Sequence, residues 1–244
     1  MAIDYYLSSL CLIRNSPILR FYGWSPFCIS IGYHQKDHLI NYQKLKSDGY
    51  DFVRRPTGGR AIFHAEELTY SVLSPRDSID HHILYAFIHQ VIAETLRLLG
   101  YPVELTNNDE KLPGLTHRPD DFLCFTKSAR TEIQFKGKKV VGSAQKILKK
   151  TVIQHGSILI GKSHKKLPDY LRIDENEKNT LEKELENKTI CLQEIKKNRI
   201  SPEKLMINIV NQLELVGNIS VYYLDLDENE LRSAHKYMNN FIRN

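Results

Sequence analysis

The chain has 244 residues, 41% hydrophobic and 26% charged, with a formal net charge of +5 at pH 7. At that length folding buries roughly 70–75% of the unfolded chain's surface, so a core forms without a disulfide or metal staple. The composition excludes a chain disordered throughout, and the modest positive charge suits acidic protein partners without calling for nucleic acid.

The opening MAIDYYLSSLCLIRN places Ile3, Leu7 and Leu10 at helical spacing and predicts an amphipathic helix over residues 2–13. Asp4 stands where a signal peptide is basic, and Arg14 breaks the apolar run. No stretch approaches the roughly 20 apolar residues that span a bilayer, so a cytoplasmic protein is expected. ILRFYGW and FCISIGY read as strands, Tyr42–Ser47 as a helix ended by Gly49, and FVRR as a strand running into the PTGGR turn. ELTYSVLS is a strand, and Asp80 to Leu99 a long helix stopped at Gly100. LTNNDEKLPGLTHRPDD has no periodicity and reads as a loop of about 17 residues, a length that in compact domains usually carries function. TEIQFKGKKVVGSAQ is a hairpin turning at Lys136-Gly137-Lys138, and TVIQHGSILIG a strand kinked near Gly156. From about residue 165 the chain becomes polar and helical, with a helix start at Ser201-Pro202-Glu203. ISVYYLDL reads as a late strand before a closing polar helix. The interleaving predicts one α/β (α+β) domain over 1–244, a mixed sheet flanked by helices.

Four segments carry candidate chemistry. In RRPTGGRAIFH the paired Gly58 and Gly59 let backbone N–H groups approach a ligand, with Arg54 and Arg55 adding charge for an anion or polarised carbonyl; a plain hairpin turn with surface arginines fits the same letters. In GKKVVGSAQ strict alternation puts Lys139 and Val141 on one face and Val140 and Gly142 on the other, so the lysine either enters a pocket floored by small residues or is an exposed hairpin lysine. His155, in Gln154-His155-Gly156-Ser157, is an imidazole for a site or for the core. Cys124, between Leu123 and Phe125, reads from its neighbours alone as a small buried hydrophobe. The cysteines Cys11, Cys28, Cys124 and Cys191 show no CxxC or paired spacing, which points to free thiols in a reducing compartment and to no metal site.

RFYGW, GYHQ, RRPTGGRAIFH, ELTYSV, CF, GKKVVGSAQ and QHGSIL, in this order, resemble the lipoate–protein ligase and octanoyltransferase family of the biotin/lipoate ligase superfamily. MAIDYYL is similar to the family's first helix and HKYMNNF to its end, so the resemblance covers nearly the whole chain. It implies a fold shared with biotin ligases and akin to class II synthetase cores. Within the family the motifs are most similar to the LipM-type, cysteine-dependent octanoyltransferases, which makes Cys124 the implied nucleophile and Lys139 the group that contacts the acyl carbonyl and assists proton transfer. Arg54, Arg55, Thr57, Gly58, Gly59, His64, Gly142, Ser143, Ala144, Gln154, His155 and Gly156 would then line the acyl-binding tunnel and its mouth. The implied reaction moves an octanoyl group from acyl carrier protein to a lysine of a lipoyl-domain or glycine-cleavage H-type protein, with no cofactor, membrane or nucleic acid. The alternative in the same family is an ATP-dependent lipoate–protein ligase using ATP and Mg; another class of reading is a noncatalytic basic binding protein. The resemblance departs in two places: the chain opens at the helix where the family has an earlier strand, and Ala65 stands where an acid follows the motif histidine, with Glu66 and Glu67 just beyond. No accessory ligase domain is expected after the catalytic one.

Overall fold

The computed structural model describes residues 1–107, 131–238 and 241. Helix α1 (Ala2–Arg14) ends where Asn15 turns left-handed at φ 47 and its N–H caps Cys11 and Leu12. Strands β1 (Ile18–Tyr22), β2 (Cys28–Ile31), β3 (Asp51–Arg54), β4 (Ile62–His64) and β5 (Glu67–Pro75) follow, with α2 (Tyr42–Ser47) between β2 and β3. The long helix α3 (His81–Leu98) starts at Asp80, whose carboxylate accepts the N–H groups of His82 and Ile83 at 2.8 and 3.2 Å. It stops before Gly100 at φ 77. Strands β6 (Glu104–Asn107), β7 (Thr131–Phe135), β8 (Lys138–Ile147) and β9 (Thr151–Leu159) complete the strands. Lys136 and Gly137, both at positive φ, make the tight β7–β8 turn. A 3-10 stretch (Lys162–Tyr170), α4 (Glu175–Lys188), α5 (Leu192–Ile195), α6 (Pro202–Gly217) and α7 (Glu228–His235) form the polar helical part.

The larger sheet has six strands in the order β1-β5-β9-β8-β7-β6, antiparallel throughout. The smaller has the order β3-β2-β4, with β2 and β3 parallel. One face of the large sheet, bearing Leu68, Tyr70, Val72, Val141, Val152 and Ile158, packs on α3 and α6 in the main core. On the opposite face Leu73 and Ile153 meet Leu7, Leu10 and Cys11 of α1. The small sheet has its own core against the 3-10 stretch and α4. Three layers result, and most of the candidate site residues lie where the second face of the large sheet meets α1 and the small sheet. No helix among the described residues is long and apolar enough to cross a membrane.

Three expected elements differ. Leu105–Asn107, read as the start of the long loop, pair with Ile133–Thr131 as strand β6, because β7 offers an edge that local propensity cannot see. Residues 219–226 form no strand: Tyr222 and Tyr223 stand 86% and 84% exposed, while Leu224 and Leu226 pack on α1. The two leucines gain burial against a helix and need no ladder partner there, while the tyrosines gain none, so the β-propensity of the run is not used. Strand β9 runs unbroken through Gly156, which faces Tyr70 and Ser143 in register. Glycine is needed there for room: a Cβ would come within 2.3 Å of the Tyr70 ring.

Candidate functional site

The arginine–glycine turn is tied down by its own arginines. Arg55 is 3% exposed, and its guanidinium donates to the carbonyls of Ser30, Gly58 and Arg60 and to the Ser30 hydroxyl. Those bonds use all five N–H donors of the group. Arg54 donates to the carbonyls of Gly32, Tyr33 and Gln35. Both arginines therefore shape the turn with protein acceptors, although their charge stays close to it. The turn presses on β2 so tightly that a Cβ on Gly32 would sit 1.9 Å from the Gly59 carbonyl oxygen. Gly59 itself has φ 91, whereas Gly58 is exposed with open space around it. Thr57 is fully buried; its carbonyl accepts from Tyr33 at 3.0 Å, and its hydroxyl has no partner among the described residues.

His64 ends β4 at the junction of the two sheets. Its Nδ1 lies 2.7 Å from Glu67 Oε1 and its Nε2 2.6 Å from Ser30 Oγ. Glu67 Oε1 also accepts from Thr69 at 2.6 Å and Ser157 at 2.8 Å. Burial alone would raise the Glu67 pKa, but His64 and the two hydroxyls outweigh it and hold the carboxylate below its ordinary value. An ionised Glu67 calls for a proton on His64 Nδ1, and on the other side of the ring Ser30 Oγ sits between Nε2 and the Arg55 guanidinium, from which it accepts at 3.1 Å. Trp24 stacks on His64 with centroids 4.4 Å apart and donates to Thr69 at 2.9 Å. Ser30 and Trp24 were missed by the sequence reading, which noted Glu67 as an acid beyond the motif histidine but gave it no role. The available signal was the carboxylate three residues after His64, across a two-residue link between β4 and β5.

The residues of β8 and β9 divide between the two faces of the large sheet. Ser143, Gln145 and Gln154 point toward α3: Ser143 Oγ meets Tyr70 OH at 2.7 Å and His89 Nε2 at 2.8 Å. Gln145 reaches Gln154 at 3.0 Å, and Gln154 donates to Tyr70 at 3.3 Å. Gly142, Ala144 and His155 belong to the other face, as does Ser157. His155 Nε2 lies 3.5 Å from Asp4 Oδ2, and the buried Asp4 also accepts from Ser71 at 2.7 Å and Arg20 at 3.0 Å. Burial opposes its charge, but His155, the terminal amine and Arg20 keep the Asp4 pKa well below the usual carboxylate range.

Strict alternation misplaces Lys139. Ile133 pairs with Val141 and Gln134 with Lys139, so Val140 is the extra residue of a bulge. Val140 and Val141 both enter the α3 core, while Lys139 turns to the face of Gly142 and Ala144. It is 7% exposed there, not a solvated hairpin lysine, and its Nζ lies 2.7 Å from Glu132 Oε1. Glu132 Oε2 accepts from Gln134 at 2.7 Å. Lys138, by contrast, donates to the Glu186 carbonyl at 2.7 Å on the exposed side. Further along the same strand Lys146 rests 4.4 Å over the Tyr33 ring, which joins this strip of β8 to the glycine turn. The structure thus brings Lys139, Gly142, Ala144, Lys146 and the Gly58–Gly59 turn to one side of the sheet, with His155 and Asp4 deeper on the same face.

Cys124 and Phe125 lie outside the described residues. The other three cysteines are free, buried thiols. Burial pushes Cys11 and Cys191 up to about 11 and Cys28 higher still, so each is a poor thiolate near neutral pH.

The sequence pattern of the lipoyl protein ligase A/B catalytic domain matches residues 1–214. Octanoyltransferase LipM of Bacillus subtilis (strain 168) is 31% identical over 226 residues, spanning 90% of this chain and 81% of that protein. LipM of Anoxybacillus flavithermus is 34% identical over 223 residues, 88% of this chain and 80% of that one. Among solved structures, the bi-partite lipoate protein ligase of Thermoplasma acidophilum superposes with a TM-score of 0.76 at 21% identity, over 98% of this chain and 86% of that chain. A lipoate-protein ligase A bound with ATP superposes at 0.73 and 20% identity, over 98% and 87%. These likenesses establish the common fold, a sheet flanked by helices. By pattern, by relatives and by architecture, this chain belongs to the lipoyl protein ligase A/B catalytic-domain family, alongside the LipM octanoyltransferases.

Proposed function

We propose that this protein is a cytoplasmic octanoyltransferase of lipoate assembly, acting as one catalytic domain and carrying the acyl group as a thioester on Cys124. The observation that carries the reading is the strip on β8: Lys139 almost wholly buried on the same face as Gly142 and Ala144, in a chain whose relatives are octanoyltransferases. The three buried cysteines support it by elimination, because Cys124 is the thiol left for covalent catalysis. Free thiols also fit a reducing compartment.

The Cys124 thiolate attacks the carbonyl of an octanoyl thioester borne by acyl carrier protein; the C–S bond to the carrier breaks and the carrier leaves as a thiolate that takes its proton from solvent. The neutral amine of a lysine on a lipoyl-domain or glycine-cleavage H-type protein then attacks the enzyme thioester. The amide forms, the amine's proton departs to a base, and the Cys124 thiolate is regenerated. A thioester keeps the acyl group activated, so no nucleotide is consumed. Lys139 stabilises the thiolate and polarises the acyl carbonyl, while Glu132 keeps it aimed through their 2.7 Å ion pair. The Gly58–Gly59 turn and the Gly142 backbone line the mouth, and His64 and His155 line the interior through their Glu67 and Asp4 partners. Ser143, Gln154 and Gly156 support the strip from behind.

The test is transfer of octanoate from acyl carrier protein to a lipoyl domain without nucleotide. Wild type transfers and Cys124→Ser does not, with the fold retained. Efficient loading driven by ATP and free octanoate, persisting in Cys124→Ala, would instead make the protein a ligase.

A further inference from the structure

Over much of the surface, cations are balanced by carboxylates: Lys44 by Asp48, Lys165 by Glu186 and Glu194, Lys178 by Asp169, Lys188 by Glu184 and Arg199 by Glu66. One corner is different. The turn from β8 to β9 exposes Lys149 and Lys150, and the Arg76 N–H donates to the Lys150 carbonyl at 2.9 Å, which brings a third exposed cation beside them. Lys146 reaches the same corner from the strip. Among the described residues none of these four is ion-paired. The adjoining stretches supply two carboxylates, Asp77 and Asp80, and Asp80 is engaged by the N-terminus of α3. Exposed apolar surface sits among the cations: Ile147 is 43% and Tyr33 50% exposed.

The corner is continuous with the candidate site. Gly142, Ala144 and Lys146 follow one another on one face of β8, and from Ala144 to Ile147 the strand advances about 10 Å at roughly 3.4 Å per residue. Unpaired like charges around an apolar centre are poor for an isolated surface and good for a complementary acidic one, where they steer encounter and fix orientation. A partner seated beyond Ile147 stands well along the strand from Lys139, which meets the acyl carbonyl in the reading above, so an acyl group carried on a long arm suits it better than one accepted on a lysine side chain. That favours the acyl donor over the acceptor.

We propose that Arg76, Lys146, Lys149 and Lys150 form the docking face for an acidic protein domain that delivers the acyl group on a long flexible arm. The proposal rests on the acyl-transfer reading above. Its test uses two donors, octanoyl-acyl carrier protein and octanoyl-pantetheine, the second a thioester without a protein surface. Acylation of the enzyme is followed by intact mass in single turnover at low salt. The double variant Lys149→Glu/Lys150→Glu is expected to lose at least about tenfold in rate with the carrier-borne donor and nothing with octanoyl-pantetheine. Arg76→Glu, in the turn after β5 rather than between β8 and β9, should act in the same direction, and added salt should narrow the gap to wild type. Unchanged rates with the carrier-borne donor would make the corner an ordinary solvated face. Slowing with both donors would place the effect in the fold, and slowing confined to the later transfer would assign the face to the acceptor; either overturns the proposal. Failure of wild type to be acylated by either donor would count against the acyl-transfer reading itself.

Discussion

Lys139 and Glu132 are a buried ion pair whose side chains are 8% and 4% exposed, so each partner is costly to leave alone. Lys139→Met should destabilise the fold by about 3–5 kcal/mol through the abandoned Glu132 charge and cut transfer by at least ~10²-fold. Adding Glu132→Gln removes that charge, so the double variant should regain much of the stability and none of the activity. Thermal or urea unfolding beside the transfer assay separates the two effects; recovered activity in the double variant would reduce Lys139 to a packing role. Lys138, bonded outside to the Glu186 carbonyl, should tolerate Met with near-normal transfer. The thiols give a second check at this scale. With Cys11, Cys28 and Cys191 buried and pushed up, iodoacetamide at pH 7–8 should label Cys124 first, as peptide mapping would show. Rapid labelling of Cys11, Cys28 or Cys191 would contradict their burial.

The glycine turn and the β8 strip are where local sequence and fold met least evenly. RRPTGGR was legible as a turn, yet the destination of its arginines was not, because Arg54 bonds to carbonyls on the loop after β2 and Arg55 to Ser30 within β2, all distant in sequence. The ends of α3 and the start of α6 were legible because Asp80, Ser201-Pro202 and Gly100 act locally. The face of Lys139 was not, since one bulged residue inverts every side chain before it. The adjacent Val140-Val141, both buried, was the available hint. Ser143 and Gln154 stood in motifs, but only the ladder shows their side chains turned to Tyr70 and His89. Two glycines test the geometry of the turn. Gly32→Ala meets the Gly59 carbonyl at 1.9 Å and should destabilise by at least about 1–3 kcal/mol. Gly58→Ala meets nothing and should unfold within about 0.5 kcal/mol of wild type while transferring poorly, if its open side faces the acyl group. Normal transfer by Gly58→Ala would remove the turn from the site.

At the scale of the whole molecule, acid should loosen the layers on both sides of the large sheet. Burial holds His89, under β8, and His164, beside α4, at about 4, below the ordinary 6.5. The unfolded chain therefore binds more protons between those values, and stability present above pH 6.5 is lost as pH falls toward 4. Asp4 and Glu67, also held low, extend the loss below their ordinary carboxylate range. Thermal midpoints should fall steadily from pH 7 to pH 4.5; a flat profile would mean that these groups are not buried as described. A mixed sheet flanked by helices was expected from interleaved strands and helices, but the division into an antiparallel large sheet and a small one with the parallel pair needed the long-range pairings of β5 with β9 and β2 with β3. That division creates the junction at which His64 and Glu67, from the end of β4 and the start of β5, meet Ser157 of the large sheet and, through Ser30 and Arg55, the glycine turn. The central claim is that an acyl group passes through Cys124, and the most direct measurement is the intact mass of the enzyme incubated with octanoyl-acyl carrier protein in the absence of ATP. The account predicts one added octanoyl group, mapped to Cys124 and discharged on adding a lipoyl domain; an unmodified enzyme that nonetheless acylates the domain would contradict it.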